Sequence, residues 1–236
     1  LILHYQPKFP AAGAPATGAE ALLRWQHPEL GLLAPDVFIP IAERSGLILP
    51  IGDWVLDRAC AQLRAWHDAG HAEWTMAVNL SPLQFASPAL LGSVREVLER
   101  HRIEPARLTL EITETTAMKD VDASLAILSD LTAMGVHIAI DDFGTGYSSL
   151  LYLKRMPATE LKIDRAFVHD LERNDEDAAI VSSIIALGRT LQLQVVAEGV
   201  ETQAQREYLS ELGCDQLQGY HLGRPMEAEE FLRRVG

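Results

Sequence analysis

Asp141 and Asp142 stand side by side at the end of the apolar run "VHIAI" and directly before "FGTGYSS". In an undistorted strand, adjacent side chains face opposite sides, but at a strand end that turns at once into a glycine-rich loop both can converge. Two convergent carboxylates could serve two divalent cations about 3.5–4 Å apart, one aspartate bridging both and the other binding one. For this stretch alone, an Asx turn followed by a flexible loop is the plain alternative.

Further acids recur in the same kind of place. Asn79 follows "MAV", Glu111 follows "LTL", Glu198 follows "VVA", and Glu20 begins "EALLRW" with Leu22 and Arg24 on its face by the period of two. Buried together without counter-charge, such acids would repel one another and shift toward protonation, at a cost of several kcal/mol. Mg²⁺ and Mn²⁺ remove that difficulty because they favour carboxylate, amide and water oxygens. In "ELKID", Lys162 and Asp164 share one strand face. An internal salt bridge is the plain reading; in a metal site Lys162 could orient an attacking water or stabilise charge on phosphate oxygens. Arg24 could grip a non-bridging phosphate oxygen. The eight histidines are scattered and form no H-E-x-x-H, so none is assigned as a ligand and zinc is disfavoured. Cys60 and Cys214 lie far apart with no C-x-x-C spacing, and read as reduced, buried thiols.

A chain of 236 residues, 48% of them hydrophobic, suits one large domain over 1–236 with a substantial core. The formal net charge of −13 argues against general nucleic-acid binding. It leaves room for a small phosphate ligand, since a divalent cation among carboxylates reverses the local field. No apolar run approaches the roughly 20 residues needed to cross a bilayer, and no signal peptide is recognisable. The expectation is a soluble, cytoplasmic fragment without membrane contact. Its abrupt, strand-like start "LILHYQPKF" reads as a domain excised from a longer polypeptide, whose remainder could hold sensory or membrane-tethering parts.

The elements that would position these residues alternate. Strands are expected at "ILHYQPKF" and "GAEALLRW", around a Pro, Ala and Gly-rich connection at 10–18. Two helices follow, "APDVFIPIAERSG" and about 50–68; the second carries Trp54 on its apolar, core-facing stripe. Then come strand "WTMAVNLS" and helix 87–101, strand "RLTLEIT" and helix 121–134, strand "VHIAIDD" and helix 148–155. Strands "ATELKID" and "LQVVAEG" flank a helix over 176–191, and a helix near 202–212, a strand at "DQLQG" and a helix near 227–235 close the series. About eight strands alternating with helices imply a mainly parallel sheet and suit a TIM-like α/β barrel, with the acids at its carboxyl-terminal mouth. A doubly wound open sheet is the alternative, but "GTG" lacks a G-x-G-x-x-G fingerprint.

At these residues the chain resembles the EAL family, bacterial phosphodiesterases acting on cyclic di-GMP. "EALLRW", "NLSP", "LEITE", "IAIDDFGTGYSSL", "LKID", "AEGVE" and "LQGY" resemble that family's motifs in order and spacing. The resemblance implies a modified TIM (β/α)8 barrel with the first strand antiparallel, and two divalent cations, Mg²⁺ or Mn²⁺. Glu20, Asn79, Glu111 and Asp141 then resemble the shell of one cation, and Asp141 with Asp142 that of the second. Lys162 resembles the residue contacting the nucleophilic water, Glu198 a further ligand or holder of metal-bound water, and Glu201 a companion acid. Glu114 resembles a glutamate that steadies the loop after the paired aspartates, though a helix-capping acid is its plain alternative. Gln6, Leu22, Arg24, Ser81, Asp164 and Gln218 would line the pocket for guanines and phosphates, and Tyr220 could stack on a base or simply pack. The implied reaction is two-metal hydrolysis of one phosphodiester, giving linear pGpG, in a homodimer attached to regulatory domains.

The rival reading is a non-hydrolytic receptor for the same dinucleotide. Such family members often lack a metal ligand or carry a degraded loop after the aspartates, whereas here every matched position is intact. An unrelated metal-dependent hydrolase on the same barrel is a second rival, which "EALLRW" and "NLSP" disfavour. Departures from the family pattern are local: the uncharged 10–18 connection, and Leu222 where an aromatic residue is frequent.

Overall fold

Runs rich in Val, Ile and Leu, each bounded by turn residues, form nine strands among the described residues: β1 Ile2–Pro10, β2 Gly18–His27, β3 Gly31–Leu33, β4 Thr75–Asn79, β5 Leu108–Thr113, β6 His137–Phe143, β7 Glu160–Ile163, β8 Gln194–Ala197 and β9 Gln216–Leu217. The computed structural model describes residues 1–145 and 150–236. Eight strands close into a ring in the order β1-β2-β4-β5-β6-β7-β8-β9, with β3 paired to β2 outside it. β1 runs antiparallel to both β2 and β9, and the remaining neighbours in the ring are parallel. The modified TIM barrel with an inverted first strand is therefore the observed fold.

Helices α1 Pro35–Ser45, α2 Ile48–Asp68, α3 Pro82–Phe85, α4 Leu90–His101, α5 Glu114–Lys119, α6 Val121–Ala133, α7 Leu150–Leu153, α8 Arg165–His169, α9 Asp175–Leu191, α10 Gln203–Glu211 and α11 Ala228–Val235 connect and surround the strands. Their ends obey local chemistry. Thr202 and Ser81 close capping boxes with Gln205 and Gln84, and Asp120 and Asn174 cap α6 and α9 with their side chains. The apolar sides of α2, α4, α6 and α9 meet the outward faces of the strands, where Leu63, Val94, Leu128, Leu131 and Val181 join Leu108, Leu110, Ile138, Leu161 and Val195 in one core. Where α2 and α11 pack against β1, Tyr5, Trp66, Trp74 and Phe231 pack ring against ring, with Trp66 and Phe231 stacked at 4.6 Å. Trp54 is partly buried against the core, as its helical spacing predicts, and both cysteines are buried and free.

Several short elements escape the sequence pattern. β3, α3, α5 and α8 are only three to six residues long, too short for periodicity to register. The helix expected from 87 begins at Leu90, after a turn in which the Ser87 hydroxyl accepts from Ala89 N–H. The glycine-rich segment after Asp142 lies in part, at residues 146–149, outside the described residues, as does the start of the helix expected over 148–155.

Candidate active site

The pleat sorts charge from hydrocarbon. On β5, Leu108, Leu110 and Ile112 enter the core while Thr109 and Glu111 make their hydrogen bonds across the barrel interior; on β7, Leu161 and Ile163 enter the core while Glu160 and Lys162 turn inward. The consequence is a fully buried Lys162 surrounded by acids. Its Nζ lies 2.5 Å from Glu111 Oε2, 2.6 Å from Glu198 Oε1, 3.3 Å from Asp141 Oδ1 and 3.7 Å from Glu20 Oε2. Four acids from β2, β5, β6 and the end of β8 thus converge on one ammonium. Asn79, at the end of β4, joins them by donating from Nδ2 to Glu20 Oε1 at 2.6 Å.

The paired aspartates reach the same end of the barrel through a local distortion. Asp141 stays in register with Thr113, but the pairing between β6 and β7 shifts between Ile140 and Phe143, and Asp142 adopts a left-handed φ of 53°. Aspartate tolerates that region better than most residues, and a shift of this kind re-aims side chains. Asp142 N–H donates to Asp141 Oδ1 at 2.9 Å, and its own carboxylate faces the cleft beside Asp164.

One ammonium does not neutralise this many acids. Burial pushes Glu198 up to about 8, with Asp141, Glu20 and Glu111 adding to the effect and Lys162 opposing it. Burial, then Asp141 and Asp164, push Asp142 up to about 6. Glu20 is raised by burial and by Glu111. Glu111 behaves oppositely: burial disfavours its charge, but Lys162 and Lys8 outweigh burial and draw it down to about 2. Lys162 is held well above its ordinary range, since the surrounding acids outweigh its burial.

That imbalance is what hard cations would relieve. The donors are oxygen-only, and Asn79 turns its amide hydrogens to Glu20, leaving Oδ1 as a ligand atom. Among the described residues no three acidic, histidine or cysteine side chains form a preformed cation cage; Lys162 stands between the acids. The residues fit divalent metal in donor type and in charge.

Two clefts open from the acids. One, of about 710 Å³, is bordered by Leu22, Ser81, Asp142 and Asp164; the other, of about 360 Å³, by Gln6, Arg24, Gln218 and Tyr220; Glu20 and Glu198 border both. Several lining residues hold one another in place. Gln218 Nε2 donates to Glu20 Oε2 at 2.6 Å and to Gln6 Oε1 at 3.2 Å, while Gln6 Nε2 donates to the Gly223 carbonyl. Ser81 caps α3, Asp164 caps α8, and Arg24 folds back on the Leu23 carbonyl. Tyr220 lies under the Arg224 guanidinium at 4.3 Å. The Glu114 carboxylate accepts from Gly144 N–H at 2.8 Å, the contact that steadying the loop would need. Glu201 stays on the rim, where its carboxylate is 3.8 Å from His169 Nδ1, outside the acid cluster.

Sequence reasoning passed over Lys8, Thr109 and Glu160, which occupy the barrel floor beneath Glu111. The signal was available: Lys8 follows Gln6 by two, Thr109 precedes Glu111 by two and Glu160 precedes Lys162 by two, so each shares a face with a residue already singled out.

Comparison with known proteins agrees with this geometry. The EAL domain family matches residues 1–225. The chain is 63% identical over 235 residues to the bifunctional diguanylate cyclase/cyclic di-GMP phosphodiesterase MucR of Pseudomonas aeruginosa, covering 100% of this chain and 34% of that protein. It is 45% identical to the cyclic di-GMP phosphodiesterase NbdA of the same organism, covering 99% of this chain and 30% of that one. The chain thus spans about a third of the curated relatives it matches. A solved structure described as the PaMucR phosphodiesterase in complex with c-di-GMP superposes with a TM-score of 0.96 at 63% identity, covering 98% of this chain and 93% of that one. With its motifs, inverted barrel strand and buried acids all accounted for along nearly its full length, the chain belongs to the EAL domain family.

Proposed function

We propose that this domain hydrolyses one phosphodiester bond of cyclic di-GMP, giving linear pGpG, with two divalent cations, Mg²⁺ or Mn²⁺. The observation that carries this reading is the convergence of Glu20, Glu111, Asp141 and Glu198 on Lys162 at the barrel mouth. A domain 63% identical to this one, solved with that dinucleotide, supports the substrate. The cations would supply positive charge to the phosphate oxygens and acidify a water nucleophile.

The chain's own residues do the rest. Glu20, Asn79 Oδ1, Glu111 and Asp141 would hold one cation, Asp141 and Asp142 would serve the second, and Glu198 would add a further oxygen. Lys162, once those acids are shared with metal, keeps a positive charge beside them with which to orient the attacking water and stabilise the developing phosphate charge. Gln6, Leu22, Arg24, Ser81, Asp164 and Gln218 receive the guanines and phosphates in the two clefts that flank the acids. Glu114 fixes the start of the loop after Asp142, and Glu201 orders the rim from outside the cluster. In this reading residues 1–236 are one phosphodiesterase domain of a longer cytoplasmic or membrane-tethered protein, paired as a homodimer and controlled by the remaining domains. Among the described residues no helix is long and apolar enough to cross a membrane.

Incubation of the purified protein with cyclic di-GMP and Mg²⁺ or Mn²⁺, with and without EDTA, should yield pGpG only when metal is free. Asp141→Ala should abolish turnover and leave the circular dichroism spectrum unchanged. Tight dinucleotide binding without turnover under either cation would replace the enzyme by a receptor.

A further inference from the structure

The barrel floor is charged where a TIM barrel ordinarily stacks branched hydrocarbon side chains. Lys8, 3% exposed, reaches Glu111 Oε1 at 3.1 Å and Glu160 Oε2 at 3.4 Å, and Thr109 Oγ1 donates to Glu160 Oε1 at 3.1 Å. Burying such a network incurs desolvation that a hydrocarbon layer would avoid, and networks of this kind are best attested where they fix an arrangement.

The arrangement fixed here is that of Glu111. Its two oxygens are divided: Oε1 is held from below by Lys8, and Oε2 meets Lys162 at 2.5 Å on the mouth side. The two lysines differ in how they are shared. Lys162 is within 4 Å of four acids, of which Glu20 and Glu198 border both clefts, whereas among the described residues Lys8 pairs only with Glu111 and Glu160. Whatever enters the mouth competes for Lys162's partners, while Glu111 Oε1 points away from it toward the floor. β1 makes this possible: it runs antiparallel to its neighbours, so passing from Gln6 at the cleft to Lys8 carries the chain downward into the barrel.

We propose that Lys8 is a positioning residue: it pins Glu111 Oε1 to the barrel floor, with Glu160 as its counter-charge, so that Oε2 is presented to a cation at the mouth. This rests on the reading of Glu111 as a metal ligand. Lys8 touches neither substrate nor reacting atoms, and its effect runs through metal affinity.

The test removes the floor charges as a pair. Lys8→Met/Glu160→Gln deletes one ammonium and one carboxylate together, and the amide oxygen introduced by the second change can still accept from Thr109. Free Mn²⁺ measured by electron paramagnetic resonance should show an affinity about tenfold or more below wild type, in the range found for lost supporting contacts around metal ligands. KM for the dinucleotide at saturating Mn²⁺ should stay unchanged. Glu160→Gln alone leaves Lys8 on Glu111 and should lose less, and Lys8→Arg, which keeps a cationic donor there, should recover part of the affinity. Lys8→Gln, too short to reach Glu111, is measured in parallel so that the answer does not hang on one variant folding; it should match the double variant. Wild-type Mn²⁺ affinity in Lys8→Met/Glu160→Gln or in Lys8→Gln overturns the proposal, as does a loss in Glu160→Gln equal to that of the double variant. A wild-type protein that binds Mn²⁺ but turns over no dinucleotide sinks the phosphodiesterase reading and leaves the Lys8 comparison standing. A wild-type protein that binds no Mn²⁺ sinks both.

Discussion

Lys162 is the residue on which the charge balance of the mouth turns. It is fully buried among Glu20, Glu111, Asp141 and Glu198. Removing one partner of a buried ion pair typically costs about 3–5 kcal/mol because the remaining charges lose their compensation. Lys162→Met should therefore lower stability in EDTA by about that much, and added Mn²⁺ should recover more of it than in wild type, because metal takes over the neutralising role. Urea denaturation with and without metal reads both numbers. The same residues set a pH response. Glu198, pushed up to about 8, and Asp142, pushed up to about 6, retain protons in the folded, metal-free protein that the unfolded chain has already released. With more protons bound in the native state, metal-free stability falls as pH rises from about 4.5 toward 8. Cation binding near pH 7 should then release protons, chiefly from Glu198, and the calorimetric binding heat should vary with the ionisation enthalpy of the buffer. Most of this cluster was legible in the sequence because Glu111, Asp141 and Glu198 each follow an apolar run and Glu20 opens one. The distortion that aims Asp142 was not: nothing in "IDDF" distinguishes a regular strand end from one that shifts register at a left-handed aspartate.

Elements set how firmly those residues are held. The first residues after β6 are tied back to α5, where the Glu114 carboxylate accepts from Gly144 N–H. Glu114→Ala should reduce turnover about tenfold or more by freeing that tie, while Mn²⁺ affinity stays near wild type, since Glu114 is not a ligand in the proposed set. Glu114→Gln keeps an acceptor oxygen and should retain most of the activity; steady-state kinetics at saturating metal makes the comparison. The long helices and the strands were readable from periods of 3.6 and 2. The short ones were not, and they matter: α3 and α8 begin at the capping residues Ser81 and Asp164, both of which border the large cleft. Their roles as caps and as cleft walls are inseparable, so a substitution there changes the cleft even without touching a ligand.

At the scale of the whole molecule, hydrocarbon surrounds the barrel and charge fills it. The stability of the shell should be separable from the chemistry inside. Trp66 packs between Tyr5, Trp74 and Phe231 in the shell outside β1. Trp66→Ala should cost about 3–5 kcal/mol, shifting the urea midpoint, and the increment in stability on adding Mn²⁺ should be unchanged because Trp66 supplies none of the hydrogen bonds or ion pairs that hold the acids. The parallel barrel was legible from the alternation of strands and helices. The inversion of β1 came from resemblance to known proteins, because a strand's hydrophobic pattern reads the same in either direction.

That inversion also has a consequence in time. β1 lies between β2 and β9, so the ring cannot close until Phe9 and Pro10 find Leu217 and Gln216 near the other end of the chain. Lys8 likewise meets its partners Glu111 and Glu160 only across 103 and 152 residues of chain. Contacts at such separation form late and slowly, since the chain entropy lost in closing the loop precedes the contacts that compensate for it. The hairpin of β1 on β2 is local and can form early, but Lys8 reaches its two acids only once β5 and β7 have joined the ring.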